Sequence, residues 1–170
     1  MARETYKYDD ASYHYDSTPE DASEEDRAEM AGLHIGLMVK WAASRGFIVN
    51  GVQPDNPDFQ ADLDKLRSGA MVSTRFLQGW GDEHFTTDMV SPEGRRFLDA
   101  YYGERGTYLD DYQDFMGDRT FEVKEKDVDF AAFSTMVDRR YDAFLAQGPE
   151  AMMHPPQTSF LDKVKSLFGR

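Results

Sequence analysis

The chain contains no cysteine. That single absence removes disulfides, thiolate metal sites and cysteine nucleophiles, and it fits a reducing compartment. Long hydrophobic runs are missing too. The longest apolar-leaning stretch, residues 28–43, is interrupted by Glu29, His34 and Lys40, and is too short and too polar to cross a bilayer. The opening Met1-Ala2-Arg3-Glu4-Thr5-Tyr6 lacks the apolar core of a secretion signal. The expectation is a cytoplasmic protein with no membrane partner. Positive charge is scarce, with 19 Lys and Arg against 32 Asp and Glu and a net charge of −13. Duplex binding needs cations to displace counterions from phosphates, so nucleic acid is not an expected partner. No G-x-S-x-G, P-loop or dinucleotide fingerprint occurs, and no two histidines stand three or four residues apart. The expectation is therefore no enzyme, no cofactor and no resident metal.

What is present is size, rings and acid. The 170 residues lie in the single-domain range, with 12 Phe, 9 Tyr and 2 Trp to build a core from large rings. Residues 1–29 hold ten acids against three bases, so this sixth of the chain carries −7 of the −13. The pattern predicts a mainly α, irregular multi-helix single domain over residues 23–148, preceded by an extended arm over 1–22. A linker and a short amphipathic helix follow over 149–170. In the arm, Tyr6, Tyr8, Tyr13 and Tyr15 occur in period-2 pairs, which suits an extended segment docked by alternate tyrosines. Ser23 caps a first helix ending near Arg45, apolar around much of its circumference and so central. Shorter helices are expected over 58–67 and 71–78, the second stopped by Gly79-Trp80-Gly81. Residues 84–90 read as a connector, and 47–52 and 121–123 as strand or loop. Ser91-Pro92 opens another helix, Thr107 starts one that ends at Gly117, and Asp129 to Ala146 is the last long helix before Gly148-Pro149. Phe160, Leu161, Val164, Leu167 and Phe168 form one face of the terminal helix, suited to packing on the body or on a partner.

Two kinds of candidate site emerge. Asp9 and Asp10 with His14 put two carboxylates and an imidazole within six residues, enough for a divalent cation or a proton relay. His34, on the apolar face of the first long helix, would complete such a site if the arm folds over it. The blander readings are that the aspartates bond backbone where the arm docks and that His34 is a hydrogen-bonded core residue. The second kind is a protein-binding surface of exposed acid: Glu24, Glu25 and Asp26; Asp55, Asp58 and Asp62; and Asp110, Asp111 and Asp114. Neither of the last two groups has the alternation and sixth-position glycine of an EF-hand.

The segments Lys7-Tyr8-Asp9-Asp10-Ala11 with His14-Tyr15, and Leu33-His34-Ile35-Gly36-Leu37-Met38 with Trp41-Ala42, resemble a family of small bacterial proteins classed as a domain of unknown function. Phe97 to Tyr102, Tyr108-Leu109 and Val137-Asp138-Arg139-Arg140-Tyr141 continue the likeness. The resemblance implies no catalytic residue. Similar small acidic proteins often act as immunity proteins for secreted toxins, which implies a protein partner, a basic toxin domain whose active site this chain covers. The alternatives are a metal-dependent or acid/base enzyme using Asp9, Asp10, His14 and His34, and a housekeeping accessory protein whose acidity serves solubility.

Overall fold

A computed structural model describes residues 5–154. The expected helix over the last residues, with its apolar face from Phe160 to Phe168, lies outside the described residues. The architecture is mainly α with one small sheet: β1 (Lys7–Asp10), α1 (Glu24–Ser44), α2 (Pro57–Ser68), α3 (Ser73–Gly81), β2 (His84–Thr86), α4 (Pro92–Tyr101), α5 (Tyr108–Met116) and α6 (Phe130–Gln147), joined by short 3-10 turns.

Helix α1 is the axis of the fold. Ser23 Oγ accepts from Asp26 N and caps it, and residues 31–39 are buried without a break. A helix covered on all sides cannot show a polar stripe, and its neighbours α2, α3, α6 and the arm supply that cover. Close approach of α3 depends on Gly36, where a Cβ would run into Ser73 Oγ. Beyond the Trp41 end of α1, Phe47, Phe97 and Tyr141 stand edge-on or tilted around its indole at ring separations of 5.4–5.9 Å. Trp41 Nε1 donates to Asp138 Oδ1 at 2.7 Å, which satisfies the indole and fixes α6 against α1. Each buried ring of this kind contributes on the order of 2–3 kcal/mol by leaving water.

Several expectations need correction. The arm is extended only over Lys7–Asp10; residues Ala11–Ser17 then coil into a 3-10 helix capped by Asp10. Its tyrosines do not dock alternately. Tyr8 packs on Phe85 and Tyr102, and Tyr6 and Tyr8 both donate to Asp99 Oδ1, while Tyr13 is 71% exposed. Residues 84–90 are not a plain connector. They contain β2, which pairs antiparallel with β1 through Lys7↔Thr86, Asp9↔Phe85 and Asp10↔His84. Of the two readings of residues 47–52, strand or loop, the loop holds, with a single bridge, Ile48↔Val90. Helix α3 begins at Ser73 and runs through Gly79 and Trp80 to Gly81, because Trp80 packs on Phe59 of α2. Thr107 precedes α5 but makes no capping bond. Gly148, at φ +86, does end α6. However, residues 149–154 are docked and not a free linker: Met152 is fully buried and Met153 bridges to Gly106.

Candidate functional site

The site is assembled where the arm crosses α1. β1 delivers Asp9 and Asp10 as neighbours on a strand, so their side chains leave on opposite faces. Asp9 turns inward and its carboxylate is shared by three side chains. His14 Nε2 lies 3.1 Å from Oδ1, His34 Nε2 lies 3.1 Å from Oδ2, and Tyr102 OH donates to Oδ2 at 2.8 Å. The backbone N–H of Asp10 adds a fourth bond, to Oδ1 at 2.8 Å. The imidazoles of His14 and His34 meet edge-to-face with centroids 4.4 Å apart. Phe121 stacks on His14 and stands edge-on to His34. Among the described residues Asp9, His14 and His34 form one group whose ligand-type atoms all lie within 4.8 Å of one another.

Asp10 does not belong to this cluster. It accepts from Lys7 Nζ at 2.7 Å, from Ser12 N and Oγ at 3.0 and 2.6 Å, and faces His84 Nε2 at 3.0 Å. Burial opposes its ionisation, but those bonds hold its carboxyl down at about 2. Its work is to cap the turn that carries His14.

Protonation follows from the surroundings. Burial works against an ionised Asp9, yet the hydrogen bonds from His14 and His34 outweigh it and hold the carboxyl well below the usual range. Burial pushes His34 below the ordinary histidine value, with the Asp9 bond acting against that shift. A neutral His34 beside an ionised Asp9 must present Nε2–H to the carboxylate. Its other nitrogen, Nδ1, is buried and has no hydrogen-bond partner among the described residues. Tyr102 stays protonated because burial and the Asp9 charge both raise it, so it serves as a donor.

A second feature lies beside the arm, where Ala11 contributes to its lining. Helices α1 and α3 enclose a groove of about 450 Å³. Ala28, Gly32, Val72 and Leu77 contribute apolar lining, while Glu24, Glu25, Glu29 and Glu83 supply acid. Among the described residues Arg75 is its one cation. A neighbouring hollow of about 330 Å³ shares Ala11, Ala28 and Glu83 with it and adds Asp16.

The acidic surface foreseen from sequence divides into two kinds. Glu24, Glu25, Asp55, Asp58 and Asp114 have no cationic partner among the described residues. Asp26 pairs with Lys124 at 2.6 Å, Asp62 with Lys65 at 2.6 Å, and Asp110 with His154 at 3.0 Å. Asp111 is structural: it takes both Nε and Nη2 of Arg140 at 2.7 and 2.5 Å and the hydroxyl of Tyr101 at 2.8 Å, tying α5 to α6. Sequence reasoning missed Tyr102, Phe121 and Glu83. Only the Gly32-x-x-x-Gly36 spacing on α1 signalled that another element comes close there.

A family model described as a domain of unknown function, DUF7832, matches residues 7–126. The chain belongs to this family. The DUF7832 region holds Asp9, His14, His34 and Tyr102 and every residue of the groove, and it stops just before α6. No curated protein and no solved structure matches the chain. No helix among the described residues is long and apolar enough to cross a membrane.

Proposed function

We propose that this chain is an acidic protein-binding module that holds a basic segment of a partner in the α1–α3 groove. The observation that carries the reading is the groove's composition: among the described residues, small and apolar side chains line it together with four glutamates and one arginine. Such a lining can take the methylene stem of an arginine or lysine against its apolar side chains and the charged head against its carboxylates. Its volume lies in the range of specific binding clefts. Glu24 and Glu25, on the first turn of α1, are exposed and carry charge that no described cation neutralises. That is the condition for long-range steering of a positive partner.

The partner class that fits best is a basic toxin domain whose cleft this chain covers, as an immunity protein in the cytoplasm of the producing cell does. The test is co-expression with each protein encoded beside its gene. A neighbour whose toxicity is relieved, and whose complex weakens steeply between low and high salt, supports the reading. Glu24→Gln with Glu25→Gln should weaken that complex while leaving the melting temperature nearly unchanged. A complex indifferent to salt and to both substitutions, or no neighbour bound or detoxified, overturns it.

A further inference from the structure

We propose that Asp9, His14 and His34 form a binding site for a first-row transition-metal dication of the Zn²⁺ class. Three separate segments converge on it: β1 brings the carboxylate, the following turn brings His14, and the middle of α1 brings His34. Both Nε2 atoms already lie 3.1 Å from a carboxylate oxygen of Asp9. Ligand atoms about 2.0–2.2 Å from a tetrahedral metal stand roughly 3.3–3.5 Å from one another. A set lying within 4.8 Å therefore needs only a modest contraction. The mover is identifiable. His34 is 1% exposed in its side chain and fixed in α1, whereas His14 is 22% exposed and sits on a 3-10 turn.

The supporting shell is also in place. Asp10 N–H and Tyr102 OH each hold one oxygen of Asp9, which fixes the carboxylate plane before an ion arrives. Phe121 packs against both imidazoles and limits water on that side. His34 Nδ1 adds an independent observation. Buried ring nitrogens are usually partnered, but among the described residues this ring is bonded only at Nε2, which faces Asp9. A metal at Nε2 moves the ring proton to Nδ1, so the neutral ring coordinates with no net loss of a proton, and the Nδ1–H so formed then needs an acceptor such as a water. Two imidazoles and one carboxylate favour zinc, cobalt, nickel or copper over the oxygen-seeking magnesium and calcium. With three protein ligands a fourth position stays open, available to water or to a donor from outside.

The test uses the full chain, stripped with chelator and titrated with Zn²⁺ and with Co²⁺. The expected result is one ion per chain, a raised melting temperature, and the intense visible bands of four-coordinate cobalt. In parallel, the Nε2 resonances of His14 and His34 should move in nitrogen NMR. His14→Ala should weaken binding by about 100-fold or more while the stripped protein keeps its helical circular dichroism, and His84→Ala should leave binding unchanged. Should His14→Ala fail to fold, His14→Gln and the NMR shifts in the unaltered chain decide the matter. Absence of stoichiometric binding by either ion overturns the proposal. So does binding that survives His14→Gln, or that leaves both imidazole resonances in place. Neither result touches the acidic groove, whose test reads a protein complex.

Discussion

Asp9 and Glu125 are both carboxylates sunk against α1, and each ties a distant stretch of chain to that helix, but their partners differ in kind. Asp9 is held by two imidazoles and a phenol. Glu125 accepts from Lys40 Nζ at 2.6 Å and from Ser73 N and Oγ at 2.6 and 2.5 Å. Ser73 is the first residue of α3, whose N-cap Val72 makes no side-chain capping bond. Glu125 thus supplies from far along the chain the negative charge that the N-terminus of α3 needs. The Glu125 clasp contains a full ammonium and a helix end. The Asp9 clasp contains two imidazoles, one of them, His34, kept neutral by its burial. One is built to hold and the other to respond.

The sharpest break of the comparison is Glu125→Ala. It leaves the Lys40 ammonium, 12% exposed in its side chain, without its carboxylate, and it strips the cap from α3. Removing one partner of such a buried pair costs about 3–5 kcal/mol, which chemical denaturation should read as a large drop in midpoint. A loss below about 1 kcal/mol would show that Lys40 reaches water readily and that the clasp is weak. Asp9→Asn comes next, at about 2–3 kcal/mol. It keeps one acceptor oxygen but turns an amide N–H₂ toward donors it cannot satisfy. A smaller effect is expected from Gly36→Ala, about 1–3 kcal/mol, because its methyl displaces Ser73 and loosens the Glu125 clasp from the other side. Combined with Glu125→Ala, this substitution should cost less than the sum of the two, and strict additivity in a double-mutant cycle would refute the coupling.

The parts legible in the sequence were those whose signals are local. Ser23, Ser91-Pro92 and Asp129 cap α1, α4 and α6 because a cap acts within three residues. The gathering of Asp9, His14 and His34 was legible as a possibility, since the first two share a short arm and the third faces an apolar helix surface. Asp10 was wrongly grouped with them, although the alternation of a strand already sends it to the other face. The β1–β2 pair was not legible. Each strand is three or four residues long, and its partner lies more than seventy residues away. A separation of 52 residues likewise hid Glu125 as the cap of α3. Among the acids, sequence showed where charge lies but not which charges are spent. Asp111 looks like Asp114 until Arg140 is seen on it.

The smallest expected effect is the most discriminating, because it separates the clasps by pH in metal-free protein. His34 is held below its ordinary value by burial, with Asp9 opposing that shift and the neighbouring His14 charge adding to it. In the unfolded chain a histidine takes up its proton near pH 6.5, while in the folded chain His34 does not. As pH falls from about 7.5 to about 5, the unfolded state therefore binds more protons and stability declines. Asp9 acts in the same direction but lower down. Its folded carboxyl lies well below the unfolded value of about 4, so its contribution is present above that value and is lost only as pH drops through the acid range. The Glu125 clasp holds no imidazole. The expected outcome is a melting temperature that declines from about pH 7.5 to about pH 5 in the unaltered chain. His34→Gln should flatten that decline, and Glu125→Gln should lower the whole curve without changing its slope. If His34→Gln keeps the slope, the pH response belongs to other groups and the division between a holding clasp and a responsive one fails.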